Sequence, residues 1–139
     1  MRQKQIWLIS LCFAVTLFLY PFPSTGFLYR NAGVLKGKVS GVKGASVVLF
    51  LDPSFYYRFR ISPSDLESAV SALGLSESSH IEFDMNTLKR HGPWFWNRWW
   101  WRPVAGPLTR LYKGYIEGNR FYFLYNYENH VAHLYIQNT

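Results

Sequence analysis

The chain has 139 residues and a formal net charge of +7, room for one ordinary domain and too little for two independent cores. Apolar residues make up 49% and aromatic residues 19%, which excludes a disordered or low-complexity chain, and the single cysteine excludes internal disulfides and cysteine-ligated zinc fingers. Removing Arg2 and Lys4 leaves +5, an excess that favours anionic partners, but no basic run is dense enough to indicate nucleic acid.

Residues 1–5 carry Arg2 and Lys4, and residues 6–20 (IWLISLCFAVTLFLY) carry no charge. Positive charge before an uncharged apolar run marks a targeting or anchoring helix whose flank stays in the cytoplasm. At 1.5 Å per residue the uncharged run spans about 22 Å, short of a hydrocarbon core of about 30 Å. We read residues 1–5 as a cytoplasmic flank and 6–22 as a retained transmembrane anchor, with a cleaved signal peptide as the alternative. Residues 23–33 are expected as a linker and 34–139 as an extracytoplasmic domain. Cys12 is a small apolar side chain within the anchor.

Within the domain, residues 34–39 and 46–51 (SVVLFL) read as two strands of a hairpin, separated by the glycine-bearing 40–45. Asp52-Pro53 ends the second. Residues 55–61 (FYYRFRI) alternate, with Phe55, Tyr57, Phe59 and Ile61 toward a core and Tyr56, Arg58 and Arg60 toward water. Ser62, Pro63 and Asp65 form a helix start, Leu66, Ala69, Val70 and Leu73 an apolar stripe, and Gly74 a stop. Residues 75–79 read as loop, and residues 80–84 (HIEFD) alternate as a short strand. The segments 108–116, 120–126 and 130–136 read as an antiparallel meander, with Phe121, Phe123, Tyr125 and Tyr127 on one face. The expected fold is α+β: one antiparallel sheet of five or six strands and a single main helix, preceded by an N-terminal hydrophobic helix.

Candidate chemistry is sparse. On a strand, His80, Glu82 and Asp84 share a face, as the ligands of a cation would, yet burial of Ile81 and Phe83 accounts for that alternation by itself. His130 and His133 fall on opposite faces of a strand. No nucleophile elbow, glycine-rich phosphate loop or cofactor motif is present, so no cofactor is assigned and catalysis is the less favoured class.

The unusual feature is residues 91–103, HGPWFWNRWWWRP: five of the six tryptophans fall within residues 94–101. A helix would align Trp94, Asn97, Arg98 and Trp101; a strand would align Trp94, Trp96, Arg98, Trp100 and Arg102. Neither geometry buries every ring on one face, so some indole must lie at a surface. Trp94, Trp96, Arg98, Trp99, Trp100, Trp101 and Arg102 are therefore the candidate contact residues. Three uses are open to them: core closure with arginine over indole, contact with a membrane interface, or stacking on a sugar. The expected function is binding or assembly at a bilayer, with anionic lipid or a membrane protein as partner and no nucleic acid; an exported enzyme or a glycan-binding module is the alternative.

Overall fold

The computed structural model describes residues 2–19, 25–49, 52–90, 92 and 99–139. Helix α1 (Arg2–Leu19) begins within the charged flank, and its side chains from residue 3 to residue 14 are all exposed. No helix among the described residues is long and apolar enough to cross a membrane. Residues 25–31, expected to be linker, form helix α2 (Thr25–Asn31), followed by a 3-10 turn at Gly33–Leu35 where a strand was expected. Leu28, Ala32 and Leu35 are buried in the core, so this stretch carries packing that a linker lacks.

The hairpin is longer than expected and differently placed. Strand β1 (Val39–Leu49) runs through the glycine-bearing segment, and β2 (Asp52–Ile61) returns beside it, so Asp52 and Pro53 start a strand instead of ending one. The break in periodicity at residues 40–43 is a bulge: the register shifts between Ser40 and Lys43, and Gly41 takes φ +61. One kind of bulge places its extra residue in this left-handed conformation, which glycine adopts without steric cost.

Helix α3 (Pro63–Ala72) starts and stops where its local chemistry directs. The Ser62 hydroxyl accepts the Asp65 N–H at 3.2 Å and donates to its carboxylate at 2.9 Å. At the other end Leu75 N–H donates to the Val70 carbonyl and Gly74 N–H to that of Ser71, with Gly74 at φ +63. Those two bonds are a Schellman cap. The following loop contributes a two-residue strand, β3 (Ser76–Glu77).

Residues 81–90 form a helix, α4 (Ile81–Arg90), and not the strand that the alternation of HIEFD suggests. The burial period explains the difference. Ile81 is half-buried and Asp84, Met85 and Leu88 are buried, a spacing of three and four, while Phe83 is 73% exposed. Glu82 and Asp84 occupy the first turn and Lys89 and Arg90 the last, each favourable to the helix dipole. Asp84 is anchored by a hydrogen bond from the Ser78 hydroxyl and an ion pair with Lys113 at 3.1 Å.

Strands β4 (Thr109–Ile116), β5 (Asn119–Asn126) and β6 (Val131–Asn138) form the meander, turned by Glu117 and Gly118 at φ 48 and 84. All six strands form one antiparallel sheet in the order β1-β2-β6-β5-β4-β3. The α+β class stands. The expectation of a single main helix does not, because both faces of the sheet are covered. One face carries Tyr57, Phe59, Phe121, Phe123, Tyr125 and Leu134 beneath α2 and α3. The opposite face, expected to be wet, packs Tyr56, Leu111, Leu124 and Tyr135 against Met85 and Leu88 of α4 and against Trp100 and Trp101. Tyr56, Tyr135 and Tyr122, register partners on β2, β6 and β5, stack at 5.0 and 5.8 Å between centroids. Tyrosines with an apolar body read as polar in an alternation and still bury.

Candidate functional site: a cavity beneath the tryptophan segment

Of the candidate contact residues, Trp99, Trp100, Trp101 and Arg102 are within the described part of the chain; Trp94, Trp96 and Arg98 lie outside it. Trp101 is buried and locks the segment onto the sheet. Its indole N–H donates to the Leu88 carbonyl at 3.2 Å, satisfying an acceptor in the last turn of α4 that the helix leaves open. Its ring stands edge-on to Tyr56 at 5.1 Å and to Trp100 at 6.1 Å. Trp100 is buried too, whereas Trp99 is 59% exposed and Arg102 is exposed. The described rings thus divide between core and surface, as neither regular geometry could avoid. The cation over the Trp99 ring is Lys43 of β1, at 4.4 Å, where an arginine was expected.

Between this segment and the sheet lies a cavity of about 330 Å³. Its polar wall is Arg58, Arg102, His133, Asn126 and Asn129, and its apolar wall is Trp99, Trp100, Val104, Leu124 and Val131. The register builds the floor: Arg58 of β2, His133 of β6 and Leu124 of β5 are direct cross-strand partners, and beside them Arg60, Val131 and Asn126 form the next row. None of the described lining residues is a carboxylate or a hydroxyl nucleophile.

His133 is the chemically distinctive member. It is 8% exposed, its Nε2 has no hydrogen-bond partner among the described residues, and Trp101 stands edge-on to its ring at 5.2 Å. Burial, and secondarily the positive charge of Arg58, holds its pKa down from 6.5 to about 4, so the imidazole is neutral near pH 7. An unpartnered buried nitrogen is costly, and in a wall that faces a cavity the natural partner is a ligand.

The other candidates separate. His80 and Glu82 are exposed while Asp84 is buried, since α4 turns successive residues by about 100° where a strand would alternate them. Among the described residues no group of three histidine, cysteine or acidic side chains is placed to hold a metal. His130 lies in the β5–β6 turn at φ 58 and is exposed, away from His133. Sequence reasoning assigned Arg58 only to a wet face and passed over Asn126 and Asn129. Alternation could have shown Arg58 and His133 on one side of their strands; that these strands are neighbours is a long-range fact. Compared with protein-family models, curated proteins and solved structures, the chain matches none.

Proposed function

We propose that this is a small membrane-held protein that acts by binding, its domain outside the cytoplasm and its tryptophan and arginine segment facing the bilayer surface. The carrying observation is a pair of exposed apolar features: the side chains of α1 from residue 3 to residue 14, and the indole of Trp99. Ile6, Trp7, Leu8 and Ile9 are consecutive, hence on all sides of α1, and each is more than 60% exposed. A helix that exposes apolar side chains on all sides is suited to lipid. Its uncharged part is short for a full span, a mismatch that bilayer thinning and reaching of Arg2 and Lys4 to the interface accommodate. Five residues separate α1 from α2, a reach of at most about 18 Å, so the domain stays near the surface. Trp99 next to Arg102 suits the head-group zone, where indole and cationic side chains are favoured.

Reporter fusions after Gly26 and at Thr139, with carbonate extraction, test the anchor. A full-length product recovered in the cytosolic supernatant would defeat it. For the contact surface, the full chain carrying Trp7→Phe is reconstituted in vesicles of brominated phosphatidylcholine and phosphatidylglycerol. Indole emission is expected to be quenched, and less so in Trp99→Ala; an unquenched spectrum removes the interfacial reading.

A further inference from the structure

We infer that the cavity beneath residues 99–104 is a phosphoryl-binding site: Arg58, Arg102 and His133 grip a phosphate group while Trp99, Trp100 and Val131 hold the apolar or ring-bearing part attached to it. This rests on reading the tryptophan segment as a contact surface, and it does not need the anchor. Two guanidinium groups and no acid among the described lining residues make an electropositive chamber. Guanidinium forks match phosphate oxygens in pairs and are less costly to desolvate than ammonium groups. The amides of Asn126 and Asn129 add neutral donors at the rim. The volume, about 330 Å³, suits a head-group-sized molecule and not a large ligand.

The second, independent observation is His133. His133 lines the chamber, and its Nε2 is buried with no hydrogen-bond partner among the described residues. As the N–H tautomer it donates to a phosphate oxygen, which satisfies the one buried polar atom that the described fold leaves without a bond. A bound phosphate anion also offsets the two effects that hold the imidazole neutral, loss of water and the charge of Arg58, so binding carries proton uptake with it in the acidic range. Among the described residues, the charged groups that line the chamber with His133 are Arg58 from β2 and Arg102 from the segment above; β5 contributes only Leu124 and Asn126 to this wall. The proton linked to binding therefore strengthens it only as pH falls through the bound-state midpoint toward the free value of about 4. The phosphate could belong to a lipid head group or to a free phosphorylated molecule, and the pocket chemistry is the same for both.

The test uses the full chain with 15N-labelled histidine in neutral detergent micelles. Inorganic phosphate is titrated in one arm and a short-chain phosphatidic acid in the other. The His133 ring resonances are expected to shift saturably, with their titration midpoint raised by about one unit or more in the bound state. Arg58→Gln and the exposed Arg102→Gln should each weaken binding by roughly tenfold, the loss of one charge-assisted contact. A response to phosphate alone assigns a free phosphorylated ligand, and a response to phosphatidic acid alone assigns the head group. Silence in both arms, or affinity unchanged in both arginine variants, overturns the site. Failure of vesicle quenching with the phosphate response intact would remove the membrane contact and leave the pocket.

Discussion

At the scale of single residues, His133 makes the sharpest statement about this protein, because one neutral imidazole links cavity, charge and stability. Its folded pKa, about 4, lies below the ordinary 6.5, so the unfolded chain binds the proton more tightly than the native one. The sign follows: the contribution is complete above pH 6.5 and is lost as pH falls through the folded value. The full difference is about 3 kcal/mol at 1.36 kcal/mol per unit. Denaturant unfolding of the full chain at pH 7 and pH 4 should therefore show His133→Phe losing less stability than the wild type, by an amount of that order. Equal losses would show that the imidazole titrates normally. The same residue illustrates what residue types alone convey. Histidine and arginine in alternating strands announce polar positions, and nothing local tells that Arg58 and His133, far apart in the chain, are direct partners across β2 and β6.

At the scale of elements, local signals worked where the chemistry is local. The Ser62 cap, the Gly74 stop and the Glu117-Gly118 turn act through bonds to near neighbours, so their positions were readable along with the meander they help to arrange. Two elements escaped because packing defined them. HIEFD satisfies an alternating pattern over five residues, but Met85 and Leu88 extend the buried set at helical spacing, and the helix buries them against the sheet. The stretch before residue 34 looks like a spacer, yet Leu28 and Leu35 sit in the core against the face of the sheet that α3 also covers. Leu28→Ala is expected to cost about 2–5 kcal/mol, the range for removing a fully buried leucine, as read by urea unfolding. A leucine in a spacer would cost almost nothing, so a small value would take α2 out of the core.

At the scale of the whole molecule, the fold is a sheet covered on both faces, preceded by the exposed helix α1. The described side chains of α1 from residue 3 to residue 14 are exposed, so removing residues 2–19 should leave the urea midpoint of the domain unchanged while abolishing sedimentation with membranes. A large drop in the midpoint would reveal packing between α1 and the domain. By itself the sequence determined the α+β class, the α3 helix with its caps, the β4–β6 meander, and the necessity that some indole stay outside the core. Those depend on periodicity, turn chemistry and ring number, all of which act over a few residues. Only the tertiary structure decided that β6 lies between β2 and β5, that α4 and Trp101 close the second face, and that Arg58, Arg102 and His133 share one chamber. The reason is physical: burial and strand order minimise the energy of the whole chain, and a side chain becomes a wall of a cavity only when distant segments have settled around it.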